Sequence, residues 1–492
     1  MTTEYELFIG GKFFAQGSQE RFPAVNPYNR QAWASIPQAS DDQVAEAISA
    51  ARTAFETCWS RTSGLERAGL MHKLADLLTA DADRMGRLES TDNGKIIRET
   101  RSQMLFAARQ YRFFAGYADK LWGKVIPLDT RDVFDYAARE PAGVAVLITA
   151  WNSPMGLLSN KLAPALAAGN CVVVKPSEHA SATTLEFARL VEQAGFPPGV
   201  VNVVTGDARV GKALLDSGRI DRISFTGSPA VGREIAANAG RQLVRATLEL
   251  GGKSPNIIFQ DADLQKAIVG ALAGIFAATG QTCIAGSRLL VQRPAYQQVV
   301  DQLVERARKI RLGDPTDTAT EMGTAANEPQ FKRILGSIEN AKAEGAQLVT
   351  GGKAATGDSL DKGFFIEPTI FVDVRNDMTI AQEEVFGPVL SIIPFDTEEE
   401  AIEIGNNTKY GLAAGIWTTS IDRAMRVSRG IRAGTVWVNT YRAVAVQAPF
   451  GGFKDSGFGR ERGEIALEEF TNTKNVMIDF SDEERDPFAI KA

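Results

Sequence analysis

From Pro141 onward the chain repeats one pattern, a short unbroken apolar run followed by an amphipathic stretch. The runs are GVAVLIT from Gly143, CVVVKP from Cys171, VVNVVTG from Val200 and RISFTGS from Arg222. A strand that is apolar on both faces must be covered on both, so the alternation predicts a parallel sheet with helices on either side, the doubly wound kind. Such sheets bind ligands beyond the carboxyl ends of their strands. After LELGGKSPNIIF (Leu248 to Phe259) a second series begins. It takes in RLLVQ at Arg288, a helix from Ala295 to Ile310 and VLSIIPF at Val389, and predicts a second α/β domain. At 492 residues the chain exceeds what one hydrophobic core supports, and two or three domains are expected.

The first 140 residues read differently, as helix-rich sequence without alternating strands. Ser40 and Gln43 form the signature of a capping box, and Val44, Ile48, Ala51 and Phe55 then recur at helical spacing. A second long helical stretch is predicted from about Ser90 to Lys120. The tail after Phe470, TNTKNVMIDF, reads as a strand arriving after both domains are complete. A lone strand needs a partner, which suggests a sheet shared between subunits, with VFDYAARE near Val133 as its other half.

Composition removes several function classes. A net charge of −6 and a pI near 5.4 argue against nucleic acid or an anionic membrane as the main partner. No apolar run approaches the ~20 residues that cross a bilayer, and the N-terminus lacks the basic start of a signal peptide. Cysteine is present only at positions 58, 171 and 283, without C-x-x-C spacing and with just two histidines. No disulfide framework and no metal site are expected, and a reducing cytoplasm fits.

Three residues are candidates for chemistry. Cys283, in GQTCIAGS, could be a small buried hydrophobe, but Gly280 and Gly286 bracket it with room for a ligand to approach. Cys171, opening CVVV, reads as core. Glu249, between two leucines in LELGGKSP, is either an exposed edge residue or a desolvated base whose burial raises its pKa. Asn152, in TAWNSPMG, follows a buried strand. It is either a turn residue or an amide donor to an oxyanion. The phosphate-binding signal is weaker. FTGSPAVG places Gly227, Ser228 and Gly232 at a strand-to-helix turn, as G-S-x-x-x-G instead of G-x-G-x-x-G. Lys175 and Glu178 in VVKPSE suit ribose hydroxyls or form a solvated ion pair.

Together these segments resemble the aldehyde dehydrogenase superfamily, from IGGKF at Ile9 to the TNTKNV tail. WN-x-P, VVKPSE, FTGS, LELGGKSP, GQ-x-C, EEVFGP and PFGG-x-K-x-SG-x-GRE occur in the family's order. The resemblance implies two doubly wound parallel-sheet domains plus a small bridging β element. Residues 1–120 and 142–251 would form the dinucleotide-binding domain and 252–453 the catalytic domain, while 121–141 and 470–492 would mediate a homodimer or homotetramer.

It also implies a mechanism. Cys283, as a thiolate or readily becoming one, attacks the aldehyde. Asn152 and the Cys283 N–H hold the alkoxide, and Glu249 activates the water that hydrolyses the thioester. Lys161 and Glu461 would relay protons. Trp151, Lys175, Ser177, Glu178, Gly227, Ser228, Gly232, Gln330, Glu384 and Phe386 would surround the cofactor. Glu178 favours NAD over NADP by repelling a 2′-phosphate, although Lys175 can compensate. In the substrate channel, Ser153, Asn160 and Val444 stand where relatives hold bulky aromatics, with Phe450 beside them. A wide, polar pocket follows, for a fairly large polar or carboxylate-bearing aldehyde. Arg442 falls on the mouth loop, as a surface charge or as a grip for an anionic substrate. A relative that passes its thioester to coenzyme A would typically lack Glu249. A non-catalytic structural member of the same fold would have no need of Asn152, Glu249 and Cys283 together.

Overall fold

The four apolar runs become neighbouring strands at the centre of an eight-stranded sheet. Val144–Ile148, Cys171–Lys175, Val201–Val203 and Arg222–Thr226 are buried along their whole lengths, and Arg245–Glu249 joins them in parallel. Burying each valine of Val172–Val174 is worth roughly 1.5–3 kcal/mol, which is why an uninterrupted apolar run ends up inside a sheet. From Val144–Ile148 the chain winds outward through Cys171–Lys175 and Val201–Val203. It then crosses back to Arg222–Thr226 on the other side. That reversal opens a crevice at the carboxyl ends of Val144–Ile148 and Arg222–Thr226.

A second, seven-stranded sheet has the order Gln347–Thr350, Thr369–Val372, Val389–Phe395, Arg288–Gln292, Pro255–Ile258, Ala413–Trp417, Thr435–Val438. All its pairings are parallel except that of Gln347–Thr350. The chain then returns to the first sheet, where Gly457–Phe458 pairs with Leu248 and Glu249. The computed structural model describes residues 3–14, 20–357, 359–482 and 488. The parts of the 1–120 and 470–492 segments falling on 1–2, 15–19, 483–487 and 489–492 lie outside the described residues.

Two expectations are corrected, and a third finds its pairing within the chain. The N-terminal region carries strands: Leu7–Ile9 and Lys12–Phe14 extend the eight-stranded sheet, while Thr3–Glu4, Arg21–Asn26 and Gln31–Pro37 form a sheet of their own. These strands are short or half-exposed, and leave no clean periodicity. The helical stretch near Ser90–Lys120 is broken. Ala82–Asn93 ends on Gly94 in the left-handed region, and Ile97–Ala115 starts afresh. The terminal strand Thr471–Asp479 pairs antiparallel with Val133–Pro141 of its own chain, and Lys124–Ile126 completes a three-stranded sheet. Thr471–Asp479 is an edge strand of that sheet, so one side of its backbone remains open to a further strand. The capping box at Ser40 and Gln43 forms as read.

Candidate functional site

The crevice is a trough with a wide and a narrow end. The wide end is a cavity of about 740 Å³, lined by Trp151, Lys175, Ser177, Glu178, Gly227 and Ser228 among others. Lys175 ends a central strand, and the other five lie on turns leaving these strands. The helix Pro229–Gln242 begins at this cavity, so the positive end of its dipole and the Ala230 N–H, which meets no acceptor among the described residues, favour anionic oxygen there. The Ser228 hydroxyl is already engaged, accepting from the Val231 N–H at 3.4 Å as the helix cap. Lys175 is buried, with Nζ 3.8 Å from Glu178 and donating to the Pro176 carbonyl. Gly232 does not line the cavity. A Cβ there would sit 2.6 Å from Leu250, so its smallness serves helix-to-sheet packing.

The narrow end, about 140 Å³, shares Trp151, Gly227 and Ser228 with the wide one and reaches Asn152, Cys283, Glu384 and Phe386. Trp151 and Phe386 meet edge to face at 5.2 Å. A carboxylate at each end, a helix N-terminus between them and flat apolar walls beside Cys283 match the parts of a dinucleotide: two riboses, a diphosphate and a planar ring. Gln330 holds the Glu384 loop in place, because its amide nitrogen donates to the carbonyls of Val385 (2.9 Å) and Phe386 (2.8 Å). It also lines the narrow end, beside Glu384 and Phe386.

Cys283 lies on a loop entered through Ala278 and Thr279, both in the left-handed region and tied down where the Ala278 N–H donates to Glu99 at 2.9 Å. Two glycines let this loop close on the first sheet. A Cβ on Gly252 would fall 2.3 Å from the Cys283 carbonyl oxygen, and one on Gly251 would fall 2.4 Å from Glu384. Asn152 Nδ2 donates to the Gln281 carbonyl at 3.0 Å, which leaves one amide hydrogen for a ligand. No acceptor meets the Cys283 N–H among the described residues.

Sequence reasoning missed two supports. Gln281 is pinned by Thr324 and Ala326, at 3.0 and 2.9 Å. Lys95 is buried, and its Nζ donates to the Asn152 carbonyl and to Ser153 Oγ, at 2.5 and 2.6 Å. Gln281 stands within the GQ-x-C motif and could have been found there. Lys95, on the break between two helices, carried no signal.

The carboxylates are desolvated. Glu249 is buried with both oxygens unpartnered, and burial, reinforced by the nearby charge of Glu461, holds its pKa well above the usual carboxylate range. Glu461 is paired with the fully buried Lys161, which also donates to Ser224 at 3.1 Å. Burial lifts Glu384 to about 7, against the opposing pull of the Gly252 N–H. The surroundings of Cys283 favour its protonated form. Withdrawal from water pushes Cys283 up to about 12, with Glu384 and Glu249 adding to the effect and Arg462 opposing it. Before it attacks, the thiol has to give up its proton.

Beyond Cys283, the substrate-side residues divide. Ser153 is engaged by Lys95, and Val444 is exposed. Asn160 is buried, and its Oδ1 accepts from Gln110 (2.8 Å) and from Arg462 Nε (3.1 Å). Phe450 lies under the Arg462 guanidinium. Arg442 is not with this group. It donates to the Ala273 carbonyl at 3.3 Å and lines a cavity of about 500 Å³ that holds Arg98, Glu99 and Glu321 but neither Cys283 nor Asn152.

This pairing of a dinucleotide trough with a cysteine, an amide and a desolvated glutamate is what the family comparisons bear on. Residues 14–476 match the model of the aldehyde dehydrogenase family. The chain belongs to that family, and it is an NAD(P)-dependent aldehyde dehydrogenase. It is 44% identical, over 99% of its length and all of the relative's, to (Z)-2-((N-methylformamido)methylene)-5-hydroxybutyrolactone dehydrogenase of Acinetobacter baylyi. It is 43% identical to betaine aldehyde dehydrogenase of Bacillus subtilis, covering 96% of each chain. Among solved structures, betaine aldehyde dehydrogenase of Staphylococcus aureus in complex with NAD+ superposes with a TM-score of 0.97 at 37% identity, covering 99% of this chain and 97% of that one. The NAD+ complex of a Bacillus cereus aldehyde dehydrogenase gives 0.95 at 42% identity, covering 97% of each. Both of these solved neighbours hold NAD+, and no helix among the described residues is long and apolar enough to cross a membrane.

Proposed function

We propose that the chain oxidises a fairly large, polar aldehyde to its carboxylic acid through a thioester on Cys283, with water as the final acceptor. One observation carries this reading: an unpaired Cys283 N–H and a half-used Asn152 amide share one cavity, and a buried glutamate whose oxygens have no partner is near enough for its charge to act on Cys283. Cys283 gives up its thiol proton to water, its Sγ bonds to the aldehyde carbon as the C=O π bond breaks, and the resulting alkoxide accepts hydrogen bonds from Asn152 and the Cys283 N–H. Bound NAD would be held by Glu178, the Pro229–Gln242 helix start and Glu384, and would supply a hydride acceptor. Glu249 takes the proton of the water that hydrolyses the thioester, and the Lys161–Glu461 pair carries protons from it. A general base at this step favours water over coenzyme A.

Glu178 supports NAD over NADP. Ser153, Asn160, Val444 and Phe450 support a polar substrate of some size. Residues 1–120 with 142–251 serve as the dinucleotide-binding domain, 252–453 as the catalytic domain, and 121–141 with 470–492 as the bridging segment. Exposed Val125, Phe134, Met477 and Ile478 on the three-stranded sheet support a homodimer or homotetramer. The unpaired cysteines support a cytoplasmic setting.

Glu249→Gln tests the reading. It should release a burst of NADH approaching one equivalent per site and then stall, with an acyl adduct on Cys283 visible by mass spectrometry. Steady-state turnover at the unmodified rate would overturn the general-base role.

A further inference from the structure

Arg462 follows Glu461 in GRERG, and no motif of the sequence singled it out. It is a non-glycine residue in the left-handed region, at φ 60°. Three side chains from distant segments hold its guanidinium. Phe106 and Phe450 offer ring faces at 5.2 and 4.8 Å, and Asn160 accepts from Nε. Asn160 is itself fixed by Gln110. The arrangement orients a planar cation and leaves its forked end free. Neither Nη atom meets a carboxylate or any other hydrogen-bond acceptor among the described residues. The adjacent carboxylate, Glu461, is already taken by Lys161. The charge is felt at the reacting centre, where Arg462 opposes the forces that keep Cys283 protonated. A half-buried guanidinium held by its stem, its charge acting on Cys283 and on Glu249 and its Nη atoms bonded to no carboxylate among the described residues, is suited to a planar anion brought in from outside.

We propose that Arg462 is the specificity-determining residue of the substrate side and grips a carboxylate carried by the aldehyde. The proposal rests on the reading of Cys283 as the nucleophile. It moves the anion grip away from Arg442, whose cavity already contains the carboxylates of Glu99 and Glu321. Asn160 is then a positioning residue, which aims the guanidinium and has its oxygen filled in doing so.

The experiment compares wild type with Arg462→Met and Arg462→Lys. Methionine keeps an apolar stem between the two rings, and lysine keeps the charge without the fork. The substrates are succinic and adipic semialdehydes against butanal and hexanal. In Arg462→Met the ratio of kcat/KM for the acidic over the neutral aldehydes should fall roughly 10-fold or more, mainly through KM, with Arg462→Lys between it and wild type. Glutarate should protect Cys283 of wild type from iodoacetamide and fail to protect Arg462→Met. An equal loss on acidic and neutral aldehydes, or equal protection of both proteins, overturns the proposal. Absence of NADH with every aldehyde would instead defeat the dehydrogenase reading, and the protection assay would still decide the role of Arg462.

Discussion

At the cofactor end of the crevice, the residues that meet the cavity stand on turns that leave neighbouring parallel strands. Trp151 follows Val144–Ile148, Glu178 follows Cys171–Lys175, and Ser228 follows Arg222–Thr226. At the aldehyde end, Gln110, Asn160, Phe450 and Arg462 come from two helices and two late loops. Gln110, Asn160 and Arg462 meet through one another's side chains, and a backbone bridge between Phe450 and Glu461 ties the two late loops together. The first arrangement is held by backbone ladders and tolerates changes in single side chains. The second is a chain of contacts in which each member's orientation depends on the next, so a substitution there should be felt at a distance. Between the two ends lies Cys283, and experiments on the junction can separate them.

The largest effect should come from the junction itself. Cys283→Ala should lower steady-state NADH production by roughly 10⁴-fold or more, because it removes the atom that forms the covalent bond. NAD affinity measured by quenching of protein fluorescence should change little, since the trough is built from other strands. Retained turnover would break the division between the two ends by removing the covalent step that joins them.

Asn152→Ala should lower kcat by about 10²–10³-fold, the loss typical of a single oxyanion donor. NAD binding is again the control. A change confined to NAD affinity would mean that Asn152 belongs to the cofactor end, and the boundary would shift toward the nucleophile.

A smaller effect should be visible in stability. Burial and Glu461 raise the Glu249 pKa in the folded state far above its unfolded value. The protonated, buried form therefore contributes stability that is complete below the ordinary carboxylate range and is lost as pH rises toward the folded pKa. Glutamine has no proton to lose. The Tm of Glu249→Gln relative to wild type should consequently increase from pH 5 to pH 9, and a difference independent of pH would show Glu249 to be solvated or paired in solution. Glu384, also raised, is common to both proteins and cancels.

Much of the cofactor end was legible because its signals are local. An unbroken apolar run means a doubly covered strand, and the polar residue at its end must then face the crevice. The sequence by itself determined the two parallel sheets, the capping box at Ser40 and the concentration of Asn152, Glu249 and Cys283 at strand ends and turns. A glycine pair beside Glu249 was also readable, although only the structure shows that its bareness admits Glu384 and the Cys283 carbonyl.

Tertiary structure decided the rest. The N-terminal strands were missed because three residues such as Leu7–Ile9 cannot display a period, and they form only against a sheet edge completed far downstream. The terminal strand found its partner in Val133–Pro141 of the same chain, a pairing that alternation alone cannot assign to one subunit or two. Lys161 meets Glu461 across 300 positions and Asn160 meets Arg462 across 302. For such pairs the sequence carries residue types but no distance. A charge becomes a base, a grip or a surface group according to which partners desolvate it, and that is settled only when the two sheets and the late loop close around it.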